Sequence, residues 1–253
     1  MDSNPKKLKC TETSFSILNQ IKKQERATVT SLADALNRPK STIHRHLNTL
    51  QEIGYVVESD NQYCLSLQFL DLAENARTHQ PIYSVLKPDV DDLVEKTGER
   101  AQIMVEENNH GVYICQSGGQ QAIKTDSHIG TQVYLHSVAS GKAYLAALSD
   151  AQIEEILDDT GLPSITPHTI TNREKLYEEI NQIREQGYAF NDEEDMEGIR
   201  AVASAICHNN GTPIGSISLA GPKTRLQGDK YRKKYPEIVS DIATVLGIKV
   251  TYE

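Results

Sequence analysis

Hydrogen-bond donors and cations are concentrated in one short stretch of the chain, residues 39–53. Apolar residues at the offsets of one helical face would turn that face towards a core. They are Ile43, Leu47, Leu50 and Ile53. The other side chains are mostly donors that can reach phosphates and base edges. They are Lys40, Ser41, Thr42, His44, Arg45, His46, Asn48 and Thr49. The pattern favours a helix that contacts nucleic acid, because an ordinary surface helix would carry more acid.

Two predicted helices ahead of this stretch would position it. Apolar residues recurring every third position predict a first helix over residues 11–24, and a short second helix starts at Thr30 or Ser31. Pro39 and Gly54 mark the two ends of the third helix. Proline has the φ of a first helical position, and glycine adopts the left-handed geometry that follows a helix. The order is typical of a helix-turn-helix.

A short β-hairpin is predicted directly after the third helix. Residues 55–57 and 63–65 read as strands, and the polar residues between them would form a tight turn. Three helices and such a hairpin make a winged helix-turn-helix. At the tip of this wing, Asn61 and Gln62 are expected to reach the DNA backbone or minor groove, whereas Asp60 is a poor neighbour for a phosphate.

Charge is divided unevenly along the chain. The net charge of −9 over 253 residues by itself argues against nucleic-acid binding. Residues 1–80, however, hold 10 Lys and Arg against 9 Asp and Glu, while residues 81–253 hold 16 against 26. Around the third helix, six basic residues between Lys22 and Arg45, Arg38 among them, face two acidic ones, a local excess suited to a phosphate backbone. The acidic remainder would repel DNA and favour solubility.

The second part of the chain predicts mixed α and β structure. A helix over residues 67–77 reads as a linker, and from residue 100 the apolar period changes to two. The predicted order from there is strands AQIMVEE, GVYICQS and QQAIKTD, helices over residues 140–148, 151–157 and 173–186, strands GYAF, AVASAI and PIGSISLA, and a helix over residues 235–246. Strands at both ends of the segment predict one antiparallel-rich sheet flanked by helices, and so an α+β fold.

Motifs for catalysis, nucleotide binding and metal binding are incomplete. The GKA segment departs from the P-loop pattern, because His136 stands where glycine is needed and Ala143 where Ser or Thr is needed. The four cysteines lie far apart, so neither a disulfide framework nor a zinc ribbon is predicted. The acidic run NDEEDMEG from Asn191 has no His, Ser or Cys at a catalytic spacing and reads as a solvated face. We expect no cofactor, no metal and no enzymatic activity.

Four segments resemble, in order and spacing, the IclR family of transcriptional regulators. They are RPKSTIHRHLNTLQEIGYV, LHSVASGKAYLAAL, GYAFNDEEDMEGIRAVASAI and IGSISLAGPKTRL. The resemblance covers about residues 14–253. It implies a winged helix-turn-helix DNA-binding domain over residues 1–65, a linker helix over residues 66–80 and a GAF-like effector-binding and oligomerisation domain over residues 81–253. It also implies dimers or tetramers on palindromic operators upstream of catabolic genes.

The same resemblance implies an effector site in the second domain. Its residues are Ala139, Ser140, Asp192, Ala205, Ser218 and Ala220. The backbone amides of Ala139 and Ser140, at a helix N-terminus, would bind a ligand carboxylate. Some relatives have Cys and Ser where Ala205 and Ala220 stand, which implies a roomier or more apolar pocket here. Cys207 would share the face of Ala205 in a strand, either as a substitute contact or as a packed core thiol.

The favoured hypothesis is a regulator whose paired sensor domains hold two winged helices at half-sites about 34 Å apart, or a multiple. A small organic acid or sugar acid would bias its binding to double-stranded operator DNA. One alternative is an enzyme acting on the metabolite through Asp192 and Lys142. Another is a helix-turn-helix used only for protein contacts, without salt-dependent DNA binding. No apolar run could span a membrane and MDSNPKKLKC lacks a secretory apolar segment, so a cytoplasmic location is expected.

Overall fold

The computed structural model describes residues 7–79, 83–119 and 127–252. The chain forms two compact units divided between Thr78 and His79. The described elements of the first unit are α1 (Lys9–Gln24), α2 (Val29–Leu36), α3 (Lys40–Glu52), β1 (Val56–Ser59), β2 (Gln62–Leu65) and α4 (Gln68–Thr78). β1 and β2 pair antiparallel. This order confirms the predicted helix-turn-helix with a wing and a following helix.

Local sequence explains where these elements begin and end. The N–H of Ser31 donates to Thr28 Oγ1 at 3.1 Å and the N–H of Thr28 donates to Ser31 Oγ at 3.0 Å, a reciprocal capping box. Helix α2 therefore starts before Thr30, because Thr28 is the cap. Asn37 ends α2 in the left-handed conformation. Asp60 and Asn61 both have positive φ, which suits the two-residue turn of a tight hairpin.

The apolar stripe of α3 is buried against α1, α2 and the hairpin. Ile43, Leu47 and Leu50 are buried with Ile17 of α1 and Leu32 of α2 in one cluster. The predicted apolar stripe also included Ile53. In the structure Ile53 is the C-cap of α3 and its side chain is exposed. The buried part of the stripe fixes which side of α3 faces outward.

The second unit is built on one six-stranded antiparallel sheet. Its described helices are α5 (Tyr83–Thr97), α6 (Ala139–Ala146), α7 (Asp150–Thr160), α8 (Arg173–Gln186) and α9 (Tyr235–Tyr252). Its strands are β3 (Arg100–Glu107), β4 (His110–Gly118), β5 (Gln132–Tyr134), β6 (Ala189–Asp192), β7 (Ile199–Cys207) and β8 (Pro213–Pro222). The strand order is β5-β4-β3-β8-β7-β6. The predicted α+β fold is confirmed, whereas the predicted strand QQAIKTD lies outside the described residues. Within them, no helix has the length and apolar character to cross a membrane.

The period of two sorts the side chains of the central strands between the two faces of the sheet. On β7, Val202 and Ile206 pack with α5 and α9, while Ala203 packs with Ala139 and Ala143 of α6. Large residues therefore fill one side of the sheet. On the other side, β7 carries the small residues Ala201 and Ala203, and this leaves space next to the start of α6.

Candidate functional site

Helix α3 presents one exposed polar stripe opposite its buried face. Ser41, His44, Arg45 and Asn48 are exposed and lie three or four residues apart, so their side chains line one side of the helix. The predicted contacts on the helix end at His46, but Asn48 completes the same stripe. A planar guanidinium such as that of Arg45 can bind guanine or a phosphate through two hydrogen bonds. The stripe has the donors that a base-reading helix needs.

The edges of this stripe are held by the scaffold. His46 Nδ1 lies 2.8 Å from Ser14 Oγ of α1, and the side chains of His46 and Thr42 are half-buried. A histidine tied to a neighbouring helix is better placed to orient α3 than to reach a base. His46 and Thr42 therefore flank the exposed stripe, and their contact with DNA stays a prediction.

The start of α3 and the wing carry the remaining predicted contacts. Arg38 and Lys40 are exposed on either side of Pro39, whose side chain gives the first amides of α3 no hydrogen-bond acceptor. Free amides beside two cations suit a phosphate. Asn61 and Gln62 are exposed at the hairpin. Contact of these four polar residues with DNA is a prediction that the structure does not test.

A cavity of about 60 Å³ lies on the α6 side of the sheet in the second unit. At roughly 10–15 Å³ for each water-sized group, it has room for a handful of heavy atoms. Strands β3, β4, β7 and β8, the start of α6 and the loop between β6 and β7 contribute to its lining. Four of the predicted effector residues are in this lining: Ala139, Ser140, Ser218 and Ala220.

The other two predicted effector residues, Asp192 and Ala205, are absent from the described lining, and their contact with an effector stays a prediction. Asp192 ends β6 and forms two hydrogen bonds of 2.7 and 2.8 Å with Arg200 instead. Strand alternation turns its neighbour Asn191 to the cavity. Ala205 shares a face with Ala201 but lies four residues further along β7, so Ala201 is the residue in the lining. A bulge between Ile206 and Cys207 carries Cys207 out of this register.

The first turn of α6 has no side-chain cap. Its N-cap residue is Val138, and Val138, Ala139 and Ser140 all line the cavity. Ser140 is 1% exposed, and its hydroxyl makes no hydrogen bond of normal geometry in the described part of the chain. By contrast, Ser149 caps α7 and Asn172 caps α8 with a side-chain oxygen. The start of α6 therefore offers unsatisfied donors to the cavity.

Two charged residues of opposite sign also line the cavity. Arg100 is 6% exposed, and burial lowers the pKa of its guanidinium. Burial raises the pKa of the Asp195 carboxyl. Burial also raises the pKa of Tyr113 to about 12; the nearby Ser140 hydroxyl and the charge of Arg100 oppose this rise, and the charge of Asp195 adds to it. The Tyr113 hydroxyl is therefore near both charges, in a cavity that water screens weakly.

A buried ion pair fixes one wall of the cavity. Lys142, 0% exposed, donates to both Glu194 carboxylate oxygens at 2.8 Å and to Glu179 Oε1 at 3.0 Å. Asn191 Nδ2 donates to Ser137 O at 2.7 Å, and its Oδ1 accepts from the N–H of Glu194 at 3.2 Å. The loop after β6 is thereby tied to α6 and to the turn before it. The acidic run predicted as a solvated face is partly a buried structural element.

Arg100, Asn191, Asp195 and Ala201 are lining residues absent from the sequence prediction. For Asn191 and Ala201, the period of two was a usable signal once the strand ends were known. Asp195 sits in an irregular loop within an acidic run that also holds Asp192, Glu193, Glu194 and Glu197, and no periodicity separates it from them. Metal-binding groups of three or more His, Cys, Asp and Glu are not found among the residues that the structure describes.

Comparison with known proteins defines the class of the molecule. A family profile described as "IclR helix-turn-helix domain" matches residues 12–60, and one described as "Bacterial transcriptional regulator IclR C-terminal" matches residues 75–247. Together with the winged helix-turn-helix, they define a DNA-binding transcriptional regulator with an effector domain. Because the second match alone covers more than half of the sequence, the chain belongs to the IclR family.

Individual relatives agree with this assignment along almost the whole chain. The probable HTH-type transcriptional regulator ArcR of Halobacterium salinarum is 28% identical over 255 residues, or 98% of this chain and 96% of that protein. The HTH-type transcriptional repressor AllR of Escherichia coli K12 is 28% identical over 245 residues, or 94% and 90%. The crystal structure of the Thermotoga maritima IclR has a TM-score of 0.79 at 28% identity, covering 96% of this chain and 98% of that one.

A fourth likeness concerns the fold alone. An IclR homologue from Microbacterium hydrocarbonoxydans, crystallised in complex with 4-hydroxybenzoate, has a TM-score of 0.80 at 19% identity. The match covers 96% of this chain and 100% of that one.

Proposed function

We propose that α3 and the wing bind operator DNA and that a small carboxylate metabolite in the cavity modulates this binding. The observation that carries the ligand half is the uncapped start of α6 at the cavity wall. A ligand carboxylate there would accept hydrogen bonds from the first-turn amides, where the helix dipole favours negative charge. The Microbacterium homologue was crystallised with 4-hydroxybenzoate, which is itself a carboxylate.

The DNA half of the proposal rests on the exposed stripe of α3. Arg45 and Asn48 would contact bases or phosphates in the major groove, with Arg38 and Lys40 on the backbone and Asn61 in the wing. Two copies of the chain would read half-sites about 34 Å apart, or a multiple. Ligand binding would then shift the arrangement of the two copies by its differential affinity for two states.

Solvent-exposed apolar residues in the first unit support self-association of the chain. Leu67 and Leu70 are 80% and 64% exposed, Phe15 of α1 is also exposed, and α4 has no buried residue among its described positions. We propose that a second copy of the chain covers these exposed apolar residues, in a dimer or in dimers paired into tetramers. Analytical ultracentrifugation tests it: Leu70→Glu should release monomers, and an unchanged oligomer would contradict this assignment.

The proposed role is regulatory, without catalysis. Lys142 and Asp192, the residues of the enzymatic alternative, do not converge: Lys142 pairs with Glu194 and Glu179, while Asp192 pairs with Arg200. Neither is in the described lining of the cavity. A chromosomal operator as partner also supports the expected cytoplasmic location.

The test starts from a thermal-shift screen of the full chain with small carboxylates and sugar acids. Operator sites selected from random DNA would then be titrated with and without each hit by fluorescence anisotropy. Ser218→Ala should reduce the ligand-induced rise in melting temperature. Ser216→Ala is the matched control, because Ser216 is buried on the same face of β8 but is not in the described lining. If the ligand raises the melting temperature of both variants equally, the ligand binds elsewhere.

A further inference from the structure

Asp195 is the one acidic side chain among the described residues that line the cavity. Within the described chain, no residue forms a hydrogen bond or an ion pair with its carboxylate. The neighbouring Lys142 ammonium is already shared between Glu194 and Glu179. A partly buried carboxylate without a partner is unfavourable, so this position is suited to a ligand that supplies one.

The backbone around Asp195 is fixed in advance. The Thr166 hydroxyl donates to Glu193 O at 2.7 Å, and the Thr169 hydroxyl donates to Glu194 O at 2.6 Å. The Glu194 side chain is held by Lys142 at 2.8 Å. The residue before Asp195 is therefore anchored by both its carbonyl and its side chain. A ligand contact at Asp195 would need little ordering of the loop, which favours affinity and specificity.

The cavity also has a positive region. The uncapped amides at the start of α6 attract an anionic group, and the buried Arg100 adds a positive charge to the same lining. The Tyr113 hydroxyl is within electrostatic reach of both Arg100 and Asp195. Arg100 and Asp195 line the same cavity of about 60 Å³, so one small molecule can reach both charges, and Ser140 lies in the same lining.

We propose that the effector is a small zwitterion of the amino-acid class, whose carboxylate binds at the start of α6 and whose protonated nitrogen binds Asp195. This rests on the proposed function, which places a carboxylate in the cavity, and it names the second group of the ligand. A plain carboxylate would leave Asp195 without a partner. An ammonium group satisfies it through a charge-assisted hydrogen bond, which is strong where water is excluded.

Three probes with the same three-carbon skeleton test the assignment: alanine, lactate and propionate, which differ only in the group on C2. Binding to the full-length wild-type chain would be measured by calorimetry and thermal shift. Alanine should bind at roughly tenfold lower concentration than lactate or propionate, in line with the strength of hydrogen bonds between charged groups. Longer trios of amino, hydroxy and unsubstituted acids extend the series.

Matched variants locate the effect. Asp195→Asn should bring the three probes to within about twofold of one another, since an amide lacks the charge that favours ammonium. Asp192→Asn makes the same chemical change three residues away, outside the described lining, and should keep the preference for alanine. Asp195→Glu retains the charge and should also keep a preference, which guards against a folding defect in the amide variant.

The outcomes separate this inference from the proposed function. Equal binding of the amino, hydroxy and unsubstituted acids to the wild-type chain, or an unchanged preference in Asp195→Asn, would overturn the zwitterion assignment and leave the carboxylate site standing. No binding by any member of the series would count against the carboxylate site itself and remove the basis of both.

Discussion

Helices α3 and α6 both begin without a side-chain cap, yet they meet different surroundings. Helix α3 follows Pro39 and α6 follows Val138, whereas α2 is capped by Thr28. The polar side of α3 is exposed, while seven of the eight residues of α6 are buried. The start of α3 is accessible to a large partner from solution, and salt screens its electrostatic interactions with that partner. The start of α6 opens into a small cavity where charges are desolvated. Burial decides what the same local feature can bind.

The largest expected effect comes from the buried charge of α6. Lys142→Met would leave the Glu194 carboxylate buried and unpaired and should lower the free energy of unfolding by about 3–5 kcal/mol. Chemical denaturation measures it. Lys249→Met removes an ammonium from the partly exposed pair with Asp89 and should cost less than about 1 kcal/mol. Similar losses in the two variants would remove the contrast between buried and exposed charge.

The exposed stripe of α3 gives the next effect. Arg45→Ala should weaken operator binding by about 1–3 kcal/mol and leave folding unchanged, because the side chain is exposed. Fluorescence anisotropy at moderate salt checks it. Lys175→Ala, which removes an exposed cation from α8, serves as the control and should keep the affinity. Undiminished affinity in Arg45→Ala would exclude this arginine from the interface.

Exchanging the N-cap residues of α6 and α2 should have a smaller effect on ligand binding and on stability. Val138→Thr would give α6 an internal cap that competes with a ligand carboxylate, and should weaken ligand binding by about 1 kcal/mol. The reverse change, Thr28→Val, removes the cap of α2 and should lower the free energy of unfolding by about 1 kcal/mol. Calorimetry and denaturation measure the two effects. Unaltered ligand affinity in Val138→Thr would separate the ligand from the start of α6.

The smallest effect is a pH dependence with opposite signs at two aspartates. Burial raises the pKa of Asp195, so its contribution to stability is present in acid and is lost as the pH rises through the folded-state pKa. The hydrogen bonds from Arg200 lower the pKa of Asp192, so its contribution is present at neutral pH and is lost as the pH falls. Denaturation of Asp195→Asn and Asp192→Asn across the acid range should show two slopes of opposite sign. If both slopes have the same sign, one of the two placements is contradicted.

Sequence periodicity predicted most of the fold because it reflects burial directly. The stripe of α3, the exact span Arg173–Gln186 of α8 and the alternation of β7 and β8 all follow from side chains facing a core or solvent. The predicted start of α2 lies after the observed one, because Thr28, Thr30 and Ser31 are all residue types that can cap a helix. Only the hydrogen-bond geometry separates them.

The candidate site was less predictable because irregular backbone positions much of it. Ala139 and Ser140 follow from a helix start, but the choice between Asp192 and Asp195 depends on where β6 ends and how the loop turns. The Lys142–Glu194 pair joins residues 52 positions apart, beyond the reach of any local pattern. Ala205 was chosen on the correct face of β7, four residues from the lining position Ala201.

The open start of α6 also bears on how long the protein survives in the cell. A ligand carboxylate at Val138 would provide the cap that the chain lacks. Because this ligand binds only the folded helix, its binding free energy adds to the free energy of unfolding. At a ligand concentration of 100 times Kd this linkage stabilises the folded state by about 2.7 kcal/mol. Proteases that cleave transiently opened chains would then degrade the unliganded regulator faster. Metabolite supply would set the amount of regulator as well as its state.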